Sequence, residues 1–236
     1  MKKAITLALL ALVSLVSLFP PAASASENPQ RHVITVTGHA ETSVNPDLAI
    51  ATFGALTTSE DVETAKKEND RIMQKIHEAM LITGIDRSKV KTSMFAVQPI
   101  YRSENNGESV KINGYRVENT ISVTIEDMRN VSRVVDAAFA AGANQFQGIR
   151  FGVKKEQTLR DDLLKQALLD GRRKAELIAA TLGETLGRPS AITESGNVAP
   201  VMMDSVRFKG LQASSTPIAA GSITASADVH MVFELQ

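Results

Sequence analysis

Apolar residues along this chain recur at two spacings, every second position or every third and fourth, and the switches between them outline its elements. The clearest alternation runs from Tyr115 through Val117, Asn119, Ile121 and Val123 to Ile125, interleaved with Arg116, Glu118, Thr120, Ser122 and Thr124. It predicts a half-buried strand. Val90 to Ile100 reads as its partner in a hairpin, across a polar loop from Arg102 to Ser109. The chain closes on a second alternation, Ile223, Ala225, Ala227, Val229, Met231, Phe233 and Leu235, which predicts a long strand with one mostly polar face. Leu48 to Leu56 is apolar at both parities, with Leu48 and Ile50 on one face and Ala49, Ala51, Phe53 and Ala55 on the other. That pattern predicts a central strand covered on both sides. Val33 to Val36, Gln145 to Val153 and Ala191 to Glu194 read as further strands, and Val44-Asn45-Pro46-Asp47 as a turn.

Three stretches carry helical spacing. Val62, Ala65, Asn69, Ile72, Ile76 and Ala79 form one stripe, with Thr58 or Ser59 as N-cap and Gly84 as the stop. Asn69 is a polar residue in that stripe, placed either to fix register or at the stripe's edge. Asp127 caps a second helix whose inner face is Val131, Val134, Val135 and Ala138, ended by Gly142. The third and longest is predicted from Glu156 to Leu186, with Gly187 and Pro189 as terminators. Along it Leu164, Leu168, Gly171, Ala175, Ile178 and Leu182 fall at heptad spacing. Gly171 and Ala175 are small enough to admit another backbone, and Gly171 weakens the helix at that point.

Residues 47–153 therefore read β-α-β-β-α-β, a ferredoxin-like layer of helices on an antiparallel sheet. Residues 156–236 add the long helix and a C-terminal β-hairpin whose strands are joined by the long loop 196–221. The fold class expected is α+β, in a single unit from residue 26 to 236. Residues 1–25 have the form of a secretory signal peptide: Lys2 and Lys3, an apolar run from Ala4 to Phe19, Pro20-Pro21, then Ala23-Ser24-Ala25 before the cut. The apolar run is shorter than the roughly 20 residues a membrane-spanning helix needs, and no later segment is apolar enough. The expected location is the periplasm or the medium.

Composition removes more than it adds. With 26 basic and 26 acidic side chains there is no basic field for nucleic acid. The absence of cysteine excludes disulfides, thiolate metal sites and cysteine nucleophiles together. No nucleophile elbow, zinc-protease helix, P-loop or dinucleotide fingerprint occurs. His39 and Glu41 share a face, as the start of a metal site would require, but no third ligand accompanies them. His32, His77 and His230 are scattered, and Arg172-Arg173-Lys174 reads as a solvated face opposite the apolar stripe. No catalytic, cofactor-binding or metal-binding residue is expected. The candidate contacts for self-assembly are Leu164, Leu168, Gly171 and Ala175 on the long helix, with Met202, Met203 and Phe208 in the loop. The helical set has a second reading, packing on the chain's own sheet.

A set of short motifs resembles the SIMPL-domain family of bacterial cell-envelope proteins, which includes periplasmic immunogens and oxidative-stress defence proteins. They are Val44-Asn45-Pro46-Asp47-Leu48-Ala49, Gly84-Ile85, Lys91-Thr92, Pro99-Ile100-Tyr101 and Gly114-Tyr115, then Lys174-Ala175-Glu176, Leu182-Gly183 to Leu186-Gly187, and Thr216-Pro217-Ile218 to Gly221. The resemblance spans about residues 33–236. It implies an α+β fold, export to the envelope and, in some members, homo-oligomers, and it implies no catalytic residues. The function expected is that of an exported, non-catalytic envelope protein, a homo-oligomer with a structural or stress-protective role. The alternative is a periplasmic module that binds a peptide or small ligand.

Overall fold

The structure is a computed structural model that describes residues 32–104, 109–194, 218 and 220–236. Seven strands and three α-helices alternate along it: β1 Val33–Val44, β2 Leu48–Ser59, α1 Val62–Ile82, β3 Val90–Glu104, β4 Ser109–Ile125, α2 Val131–Ala140, β5 Gln145–Gly152, α3 Glu156–Leu182, β6 Leu186–Glu194 and β7 Ile223–Leu235. The α+β class is as expected. The strands form two sheets. One has the order β3-β4-β2-β5, the other β1-β7-β6, and every pairing is antiparallel. In the first sheet β4 lies between β2 and β3, so the first β-α-β unit is split.

α1 and α2 lie on one face of the four-stranded sheet and close a core of Phe53, Ile76, Met80, Ile121, Ile125 and Ile149. β2 is central, as its composition predicts, but it is not covered on both sides. Ala49, Ala51, Phe53 and Ala55 are buried under the helices, while Leu48, Ile50 and Thr52 are half-buried on the other face. The second core lies between α3 and the sheet β1-β7-β6, and it is built from small residues: Ala167, Ala175, Ala179, Ala225 and Ala227 with Leu163, Val229 and Phe233.

Several boundaries differ from those the pattern predicts. β1 does not stop before Gly38 but runs to Val44, and it pairs along its whole length with β7. Gly38 sits inside the strand because α3 passes directly over it. A Cβ on Gly38 would lie 2.0 Å from the Ala167 carbonyl oxygen, and one on Gly171 would lie 3.3 Å from the Gly38 Cα. The cap of α1 is Asp61, whose carboxylate accepts from the Thr64 N–H at 2.8 Å; Thr58 and Ser59 finish β2 instead. α3 ends at Leu182 rather than Leu186, because Gly183 takes the left-handed conformation at φ 75° that glycine adopts without steric cost. The freed residues begin β6, which starts at Leu186 rather than Ala191.

The stripe that α3 buries is also not the heptad one. Leu163, Ala167, Gly171, Ala175 and Ala179 are buried, a row at every fourth position. Such a row is inclined to the helix axis, so the helix crosses its sheet. Ile178 and Leu182, which complete the heptad pattern, are exposed.

Candidate functional site

The helical residues named from the sequence fall on the second core. Gly171 and Ala175 are buried against the chain's own sheet, and the backbone that approaches Gly171 is that of Gly38. Leu164 and Leu168 are half-buried beside them. Met202, Met203 and Phe208 lie outside the described residues, as do residues 1–25 and nearly all of the loop 196–221.

Polar side chains bind α3 to the outer edge of β1. The Asp170 carboxylate accepts the His39 backbone N–H at 3.0 Å, and the Lys174 ammonium donates to the Thr37 carbonyl at 2.9 Å. Asp170 also accepts from Arg173 at 2.8 Å and pairs with Lys174 at 2.6 Å. The hydrogen bond from Lys174 first, then those from Arg173 and the His39 N–H, hold the Asp170 carboxyl well below the usual carboxylate range. The basic cluster read as solvated thus has one member, Lys174, tied to the sheet. It pairs edge groups that would otherwise be open to strand addition.

On the face of β1 and β7 away from α3, His39 Nδ1 lies 2.8 Å from Asp228 and 3.9 Å separates its Nε2 from Glu41. His230 Nδ1 lies 2.9 Å from the Thr37 hydroxyl. The contacts of His39 with Asp228 and of His230 with Thr37 are cross-strand pairs fixed by the register that sets these residues opposite one another, and Glu41 is the next residue on the same face of β1. Among the described residues no three His, Cys, Asp or Glu side chains converge as metal ligands would.

Two features were not named from the sequence. The first is the β3-β4 hairpin beyond the end of the sheet. β2 ends at Ser59, opposite Tyr115, so residues 109–114 of β4, and residues 100–104 of β3 that pair with them, have no third strand beside them. Phe95, Val97 and Tyr101 share one face of β3 by their spacing of two and four. Asn113 is bulged out of β4, which sets Ile112 opposite Tyr101. Tyr101 is 60%, Val110 63% and Ile112 53% exposed. The alternation of Phe95, Val97 and Tyr101 is visible in the sequence, but not that helices leave it uncovered.

The second feature is a cleft of about 450 Å³ between α3 and the edge strand β6. Leu168 and Leu169 form its helix side, Met231 and Phe233 its floor, and Arg172 and Arg188 lie at its rim. Arg172 is paired with Glu176 at 2.8 Å. Arg188 has no hydrogen-bond or ion-pair partner among the described residues.

The profile of the SIMPL family, described as a protein of unknown function (DUF541), matches residues 34–233. The chain is 29% identical over 235 residues to the 26 kDa periplasmic immunogenic protein of Brucella melitensis biotype 1, covering 95% of this chain and 94% of that protein. It is 28% identical over 183 residues to the uncharacterised protein YggE of Edwardsiella ictaluri, covering 77% and 76% of the two chains. To YggE of Escherichia coli K12 it is 25% identical over 234 residues, covering 96% and 93%. No helix among the described residues is long and apolar enough to cross a membrane.

Proposed function

The chain belongs to the SIMPL family, and on that premise we propose that it is a non-catalytic periplasmic protein that works as a homo-oligomer, in a structural or stress-protective role in the cell envelope. The observation that carries the reading is the bare hairpin arm. Phe95, Val97, Tyr101, Val110 and Ile112 hold exposed apolar surface: Tyr101, Val110 and Ile112 lie where the two strands have no third neighbour, and Phe95 and Val97 on the edge strand β3, opposite residues of β4 that still pair with β2. Exposed patches of this kind are contact surfaces, and a second copy of the same arm offers the matching apolar face. Export is supported by the leader pattern of residues 1–25 and by the likeness to a Brucella protein named as periplasmic.

Light scattering coupled to size exclusion, on residues 26–236 at micromolar concentration, tests the reading. The expected result is a mass several times that of one chain, falling to a single chain in the double variant Tyr101→Glu, Ile112→Lys with unchanged circular dichroism. A wild-type chain that elutes as a monomer overturns it.

A second reading, a periplasmic module that binds a small ligand, is favoured by one observation, the cleft between α3 and β6.

A further inference from the structure

We propose that this cleft binds a single-chain amphiphile with an anionic head, a medium-chain carboxylate, with its tail on Leu168, Leu169 and Leu186 and its head at Arg188. The proposal names the ligand class for the binding-module reading and rests on it.

The cleft follows from how α3 is mounted. The contact of Gly38 with Gly171 draws the helix onto β1, and Asp170 and Lys174 fasten it to that strand's outer edge. A helix about 10 Å wide held over β1 and β7 leaves β6, on the far side of β7, without cover. The cleft therefore opens along β6, beside the point where Met231 and Phe233 of β7 pass under the helix. Met231 and Phe233, 4% and 3% exposed, back the cleft, and half-buried Leu168 and Leu186 together with Leu169, 59% exposed, supply its accessible apolar lining. The volume falls within the range of small-molecule sites.

Charge selects the head group. Three charged side chains line the cleft, and two of them, Arg172 and Glu176, neutralise each other. That leaves the Arg188 guanidinium, a fork of donors suited to a carboxylate. The backbone argues against an extended peptide. β6 is an edge strand, but its pairing with β7 is irregular on both sides of Pro189, which has no N–H to donate. The ladder that a peptide strand would extend is interrupted beside the cleft, so the occupant is held by side chains.

Calorimetric titration of residues 26–236 with dodecanoate, dodecyltrimethylammonium and acetyl-Leu-Val-Leu-amide, the amphiphiles below their micelle concentrations, tests this. The expected result is saturable binding of one dodecanoate per chain, with the cationic amphiphile weaker by about tenfold or more. Arg188 is exposed, so Arg188→Glu keeps the fold; it should weaken dodecanoate by about tenfold or more and reverse the preference for head group. Equal binding of the two amphiphiles, or an unchanged affinity in Arg188→Glu, overturns the proposal. Binding of the capped peptide alone overturns the ligand class and leaves the binding-module reading standing. No binding by any of the three removes both.

Discussion

Gly38 and Gly171 show how much one atom can matter. Neither has a positive φ, so neither is needed for backbone freedom. Each is needed for space. A methyl on Gly38 collides with helix backbone, which cannot rotate away as a side chain could. Gly38→Ala should therefore destabilise the chain by about 2–3 kcal/mol, seen as a lowered urea midpoint, whereas Gly183→Ala, with open space around it, should cost only the strain of its left-handed backbone, about 1 kcal/mol. Asn69 is the other informative residue. It is 0% exposed, and its side-chain N–H groups donate to the carbonyls of Ala55 and Val117 at 2.9 and 3.2 Å. Its position in an apolar stripe was legible as an anomaly, and the structure resolves the two readings in favour of a bridge from α1 to β2 and β4.

Among the elements, α3 departs furthest from its sequence pattern. Both its heptad row and its every-fourth row contain Gly171 and Ala175, and hydrophobicity alone favours the row with more leucine. The alanine row is the one buried, because a helix that touches a sheet backbone at Gly38 has no room for larger side chains there. The same mounting has a consequence for pH. The Asp170 carboxyl is held low by its three donors, so ionisation is favoured in the folded chain. The stabilisation is present above the unfolded value, near 3.8, and is lost progressively as pH falls below it towards the folded value. Asp170→Asn should be less stable than the wild type at pH 7, and the gap between their urea midpoints should narrow steadily from pH 4 downwards. A gap of constant size across pH 7 to 3 would show that the carboxylate does not fasten α3.

The whole molecule has two cores of unequal quality. The four-stranded sheet buries Phe53, Ile76, Met80, Ile121 and Ile149, while the three-stranded sheet relies largely on alanine. Buried apolar area is the main stabilising quantity, and local opening follows the weaker part first. Under native-state hydrogen exchange, the amides of β1 and β7 should exchange about tenfold or more faster than those of β2 and β4, a difference of about 1.4 kcal/mol or more. Equal protection would mean that the two sheets unfold as one unit.

The local pattern of the chain was enough to specify the α+β class, the alternating strands β4 and β7, the three helices and the family likeness. These depend on side-chain period and on glycine stops such as Gly84 and Gly142, all within a few neighbours along the sequence; Asp127, expected to cap α2, instead caps the short 3-10 turn Met128–Asn130 that leads into it, and Asn130 is the residue at the helix's own N-cap. Three features were decided only by tertiary structure: the pairing of β1 with β7, nearly two hundred residues apart; the row of α3 that is buried; and the uncovered surfaces of the hairpin arm and the β6 cleft. Each depends on which backbone lies across which, and apolar periodicity records that a face is to be buried without recording against what.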